Sequence, residues 1–320
     1  MAIKIENLKP SRGQLLFVVI TLAALYLLLP QIGVFSVGLK HLHNINWVYL
    51  MLAFGFEITA NIFAGTTYYL LAKHRLKYLR TIIVQLAGNF VNRLLPAGIG
   101  GIGINFAYLK ANRHTSAQAA SVVAVNNLLG GIGNIALLAY VSIVLTKVYE
   151  KLEIGKVHID SRLKYVVLVL IVAMLVVAFS KYRSRVETGF ISFLKQIIGY
   201  RKHPIRLIAA LSSSTLLTLS NVFCLYFSAL ALGVHLNPPT MLVIFSAGEA
   251  LGTATPTPGG LGGIDAALVV GITAFGVPLA SSLAVTLLFR LLSCWLPVIA
   301  GIGFLYITEH RGYFGKKLSV

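Results

Sequence analysis

Pro96-Ala97-Gly98-Ile99-Gly100-Gly101-Ile102 returns later in the chain as Pro258-Gly259-Gly260-Leu261-Gly262-Gly263-Ile264, identical at five of seven positions and displaced by 162 residues. The displacement is half of a 320-residue chain. Each copy lies between apolar segments, so a backbone breaker recurs at matching points of two halves. In membrane transporters, interrupted apolar segments in corresponding positions of two halves point to the binding site.

The surrounding composition fits that setting. Hydrophobic residues make up 57% of the chain and charged residues 11%, with uncharged runs too long for a soluble globule. The net charge of +18 concentrates between the apolar segments, which reads as topology and attraction to anionic lipid rather than nucleic-acid binding. Cys224 and Cys294 fall within apolar runs and read as small buried side chains, not a disulfide framework. The run from Gln14 to Pro30 lacks a small-residue cleavage site and is followed by more apolar segments, so the first helix is expected to stay in the mature protein.

Apolar runs near 14–30, 47–72, 116–146, 163–180, 205–232 and 278–308 are each long enough to cross, given roughly 20 residues per crossing. Two further stretches, 81–109 and 240–275, are interrupted by the glycine repeats and read as re-entrant helical hairpins. On that arrangement 19 of the 27 lysines and arginines lie in cytoplasmic connections and 6 outside, which predicts both termini in the cytoplasm. Arg93 and Arg290 complete the count, inside the membrane. The expected fold is an all-α polytopic membrane protein, a single domain over 1–320, with repeats 1–146 and 147–320. Three crossings plus a hairpin form each repeat, and because three is odd the second is inverted. The alternative is eight full crossings with parallel repeats.

Five charges fall within apolar segments: Glu57, Arg93, Glu249, Asp265 and Arg290. Each costs about 2.5–3.5 kcal/mol at the bilayer centre on insertion scales, so they are expected to face one another or a wet cavity. Two roles remain open: Arg93 and Arg290 attract a phosphate while the carboxylates release it or carry a proton, or the set is an ion-pair network that holds helices together. The breaks admit unusual backbone and leave N–H groups at the start of a following helix, which suits an anion. Gly98, Gly100 and Gly101 form the first such candidate. Gly259, Gly260, Gly262 and Gly263 form the second, with Thr253, Thr255 and Thr257 adding hydroxyls before it. Close helix packing through small residues is the competing use.

Asn89, Asn92 and Asn105 place amides around the first break, and Asn126 and Asn127 occupy the middle of a long apolar helix, where they line the cavity or hydrogen-bond between helices. A run of 31 residues reaches about 46 Å against roughly 30 Å of hydrocarbon. Gly130, Gly131, Gly133 and Pro297 are therefore expected to bend or break the two long helices. The basic segment 181–204, with Val186, Phe190, Phe193, Leu194 and Ile197 at helical spacing, reads as an interfacial helix on an anionic leaflet or a connecting helix on the protein's underside.

No phosphate-loop motif, G-x-S-x-G elbow or cysteine–histidine signature is present. The histidines, including His41 and His43, lack metal-ligand spacing. Neither an enzyme nor a cofactor nor a metal is implied.

The run T-P-T-P-G-G-L-G-G-I-D at 255–265, the R-L-L-S-C-W-L-P segment at 290–297 and N-R-L-L-P-A-G-I-G-G at 92–101 resemble the membrane domain of the lysylphosphatidylglycerol synthase/flippase family. The resemblance extends over nearly the whole chain. It implies a flippase-like protein of the cell membrane that moves aminoacylated phosphatidylglycerol between leaflets. The large members also carry a soluble C-terminal synthase domain; the chain ends at Val320, so transport without synthesis is expected. Asp265 stands where a glutamate is expected after the glycines, and this departure leaves open whether lysylphosphatidylglycerol itself is the lipid. The expected partners are anionic or aminoacylated lipids, and a homo-oligomer is compatible with this. The rival functions are a membrane-embedded lipid transferase, with Glu57, Glu249 or Asp265 as base, and an accessory subunit of a lipid-modifying enzyme.

Overall fold

The computed structural model describes residues 45–95, 99–149, 204–254, 257 and 259–314, and within them every regular element is a helix. The expected crossings 14–30 and 163–180 lie outside the described residues, as do 181–203 of the basic segment.

Long apolar runs make long helices. The helix α1, Trp47–Leu71, starts behind Asn46, whose side-chain oxygen accepts the Val48 N–H at 3.0 Å and satisfies an otherwise orphaned donor. Two short helices follow, α2 at Tyr78–Leu94 and α3 at Ile99–Ala111, and then the long α4 at Ser116–Tyr149. The second half repeats this order with α5 at Pro204–Ala231, α6 at Pro238–Ala254, α7 at Gly263–Ala274 and α8, which is Leu279–Arg290 continued by Leu296–His310. Proline begins α5 and α6, where its missing N–H removes a donor with no helical acceptor.

Four helices are long and apolar enough to cross a membrane: Trp47–Leu71, Ser116–Tyr140, Pro204–Ala231 and Leu279–Thr308. The protein is therefore a multi-pass helical membrane protein. Each interrupted stretch is instead a pair of helices packed on one another, α2 on α3 and α6 on α7. Their 12 to 17 residues reach about 18–26 Å, short of a hydrocarbon core of roughly 30 Å.

Equivalent helices α1 and α5 run antiparallel. The Asn46 N–H donates to Ala231 O at 3.0 Å, Phe56 stacks on Phe223 and Phe227, and the Ser213 hydroxyl donates to Phe63 O at 3.0 Å. Each short helix pair also reaches into the other half, α2 packing on α8 and α6 on α4. Two apolar cores result. One joins the start of α1 and end of α5 to α6, α7 and α8, around Ala53, Leu225, Ile244, Leu268 and Phe289. The other joins the opposite ends of α1 and α5 to α2, α3 and α4, around Leu71, Val84, Leu109, Val122 and Ala210.

The two long helices resolve their excess length differently. No break occurs at Gly130, Gly131 and Gly133, since α4 continues as regular helix through all three. Gly133 instead lets α5 approach: a Cβ there would lie 2.7 Å from Thr215 Oγ1. In α8 the expected irregularity is present, as a π-helical turn over Leu291–Trp295 immediately before Pro297.

Candidate functional site

The polar groups gather between the two cores. Glu57, near the middle of α1, is 6% exposed; its Oε1 accepts from Asn61 Nδ2 at 3.0 Å, and the same amide nitrogen donates to Glu57 O. Asn61 Oδ1 accepts in turn from Asn89 Nδ2 on α2. One turn beyond Asn89, on the same face, stands Arg93. Its guanidinium lies in the electrostatic field of Cys294, Glu249, Glu57 and Asp265.

Arg93 belongs to the first half but is spent on the second. Its Nη2 donates to Ser293 O in the π-helical turn at 3.1 Å. Pro297 has no N–H to offer the carbonyl four residues back, and the arginine donates to that carbonyl instead. The Arg93 side chain also lies against Gly259, where an added Cβ would sit 3.2 Å from Arg93 Cδ.

Arg290, 4% exposed, approaches Gly259 from α8. Its Nη2 donates to Gly259 O at 3.1 Å, and its Nε lies 2.8 Å from Asp265 Oδ1 in an ion pair. The other Asp265 oxygen accepts the Gly262 N–H at 2.8 Å. One carboxylate thus holds both the start of α7 and the buried arginine. Gly259, at φ 61°, is the point where the two arginines converge.

The second break turns on left-handed glycines, with Gly259, Gly260 and Gly262 all at positive φ. Thr257 steadies it by donating to Leu261 O at 2.9 Å. Gly262 and Glu249 are exposed, Asp265 is 22% exposed at its side chain, and Gly263 is partly buried. The carboxylates at this break are thus more accessible than the Arg290 guanidinium they neighbour, which is 4% exposed.

The first break is closed differently. A Cβ on Gly100 would collide with Val91 O, so α3 begins with its backbone directly against the end of α2. Asn92 Oδ1 accepts the Gly101 N–H at 3.1 Å; Asn105 Nδ2 donates to Gly101 O at 2.9 Å and Asn105 Oδ1 accepts from Gln85.

Of the sequence-derived candidates, Arg93, Arg290, Asp265 and Gly259 come together directly, with Glu57 and Glu249 in their field. The expectation of free amides at the helix starts needs correction at Gly101 and Gly262, because Asn92 and Asp265 occupy them. Gly100 serves backbone packing, Gly260 and Thr257 serve the turn, and Asn126 is partly buried on α4, its amide 3.5 Å from Asn127. Gly98 and Thr255 lie outside the described residues. Asn61, Gln85 and Ser293 were not among the candidates. Asn61 had a signal in its spacing, four residues after Glu57 on one helical face, and Ser293 in its spacing four before Pro297.

Residues 14–301 match the family model described as lysylphosphatidylglycerol synthase TM region. The chain belongs to this family. The match includes both breaks and all five membrane charges, and it makes this a membrane protein related to lipid modification or flipping, in contact with membrane lipids. No curated protein matches the chain.

Proposed function

We propose that this lysylphosphatidylglycerol synthase TM-region protein is a flippase-like transporter, not an enzyme, and that it moves a phospholipid or lipid-linked phosphate between leaflets. Aminoacylated phosphatidylglycerol is the first candidate cargo. The observation that carries the reading is the convergence of Arg93 and Arg290, from opposite halves, on Gly259, with Asp265 paired to Arg290 and Glu249 in the field of Arg93. A phosphate would be drawn to the paired guanidiniums, and a cationic aminoacyl group to Glu249 and Asp265, while the acyl chains stay in lipid.

Alternating access needs two halves that can rock against one another. The antiparallel packing of α1 against its equivalent α5 supports an inverted repeat. The placement of the two cores at opposite ends of that pair supports re-entrant hairpins entering from opposite faces. The charge partition supports a plasma-membrane orientation with both termini cytoplasmic.

Reconstituted vesicles carrying a fluorescent phosphatidylglycerol, a lysyl-phosphatidylglycerol or a polyprenyl phosphate test this through the fraction of lipid accessible to an impermeant quencher. Exchange should be faster with protein than without for at least one of the three; no acceleration for any sinks the reading. Arg290→Ala should reduce exchange at least tenfold with a smaller loss of folded yield. An equal fall in both would make the cluster a structural ion-pair network.

A further inference from the structure

Three carboxylates, Glu57, Glu249 and Asp265, act on two arginines in the described site, which leaves one negative charge in excess. One bound proton would balance it, and the geometry distinguishes which carboxylate takes it. Asp265 has one oxygen on Arg290 and the other on the Gly262 amide. Glu249 is exposed on α6. Glu57 alone of the three is buried, at 6% exposure, and its Oε2 has no hydrogen-bond partner among the described residues although Oε1 is held by Asn61. An ionised oxygen buried without a donor is among the costliest arrangements in a protein, and binding a proton there removes the charge.

The structure assigns Glu57 as a proton site linked to occupancy of the arginines: an anionic headgroup and a proton enter together. This inference rests on the transport reading above. The groups facing Glu57 are Arg93 from α2 and the Cys224 thiol from α5, with Asn61 on its own helix; Cys294 faces Arg93 from α8. Arg93 is the link. While it is unoccupied, its positive charge compensates ionised Glu57. A phosphate on the guanidinium opposes that carboxylate, and the carboxylate takes up a proton, COO⁻ plus H⁺ giving COOH. By reciprocity, a proton on Glu57 strengthens the hold on the anion by the same factor.

The test is the affinity of the full-length protein in lipid nanodiscs for a short-chain fluorescent phosphatidylglycerol, measured against pH. Wild-type affinity should fall by up to about tenfold per pH unit as Glu57 loses its proton. Glu57→Gln, a neutral isostere, should bind at the acid-limit affinity at every pH. A flat wild-type profile, or an equal slope in Glu57→Gln, overturns the inference. Should Glu57→Gln fail to fold, Glu57→Asp keeps a titratable group and should keep the slope with a displaced midpoint; a flat Glu57→Asp profile overturns it. Infrared spectroscopy decides the proton site even without lipid binding. A buried carboxylic-acid C=O band that titrates in wild type and is missing from the glutamine variant supports the assignment, and no titrating band overturns it. Lipid exchange that proceeds while binding ignores pH would leave the transport reading standing and remove only the proton.

Discussion

At the first glycine break the side chains that close the backbone are neutral amides, Asn92 on Gly101 and Asn105 with Gln85; at the second they are charged, Asp265 on Gly262 and Arg290 on Gly259. The backbone requirement differs as well. Gly100 is needed because another backbone lies where its Cβ would be, whereas its equivalent Gly262 has open space around it and a φ of 82°. The charges are also unduplicated. At the 162-residue offset Arg93 corresponds to Thr255, Arg290 to Leu128, Asp265 to Gly103, Glu57 to Leu219 and Glu249 to Ala87. The duplicated order of helices therefore carries one unduplicated set of membrane charges, and among the described residues amides close the first break while charged side chains close the second.

The strongest way to break this contrast is an alanine at each of the two equivalent glycines. Gly100→Ala forces backbone against backbone, which cannot be relieved by rotating a side chain. It should cost about 3 kcal/mol or more and remove most folded protein, read as the monodisperse fraction in detergent. Gly262→Ala meets no atom but must hold a backbone conformation unfavourable for an L residue, a cost of about 1–3 kcal/mol. Its folded yield should fall less than that of Gly100→Ala, while lipid exchange per folded molecule falls more. The reverse order of yields would show that the first break tolerates displacement and the second does not.

Much of this was legible in sequence, for a physical reason. Spanning helices are dictated by local apolar length, so the runs at 47–72 and 205–232 became Trp47–Leu71 and Pro204–Ala231 almost unchanged. The breaks were legible because glycine and proline act on their own backbone. What spacing could not supply was Arg93's reach of 200 residues to Ser293, a long-range contact made possible by one missing proline N–H. The glycines of α4 misled for a related reason: glycine permits both a kink and a close approach, and at Gly133 only the neighbouring Thr215 decides for the latter.

A smaller effect sharpens the same contrast at the capping side chains. Asn92→Ala removes the acceptor for one amide at the start of α3 and should cost about 1 kcal/mol, with lipid exchange per folded molecule unchanged. Asp265→Asn keeps a side-chain oxygen for the Gly262 amide but removes the counter-charge beside Arg290. Its thermal stability should fall further than that of Asn92→Ala, because Arg290 is left buried without its counter-charge, while headgroup preference shifts toward more anionic lipids. Equal functional loss in both variants would mean the first break also handles cargo.

The smallest effect concerns pH, and it too separates the halves. His114, 4% exposed, joins the connection before α2 to the connection before α4, outside the spanning segments. Its Nε2 accepts the N–H groups of Lys73 and His74 at 3.1 and 3.3 Å, so the proton is on Nδ1, which donates to Leu109 O and Asn112 O. Burial holds this imidazole below the ordinary histidine range, with the charges of His74 and Lys73 acting in the same direction and the two carbonyls opposing them. The native state therefore favours the neutral ring. Its contribution to stability is fully present above the unfolded value of 6.5 and is lost as pH falls below that toward the depressed folded value, because the unfolded chain binds the proton first. The equivalent position in the second half is Gly276 at φ 84°, with nothing to titrate. Amide hydrogen exchange should accelerate in residues 72–77 and 112–115 on going from neutral pH to about pH 5, after correction for the intrinsic rate, and stay constant in 275–278. A matching acceleration in both halves would trace the acid sensitivity to a group they share; none in the first would show that the ring bridges the two connections without stabilising them.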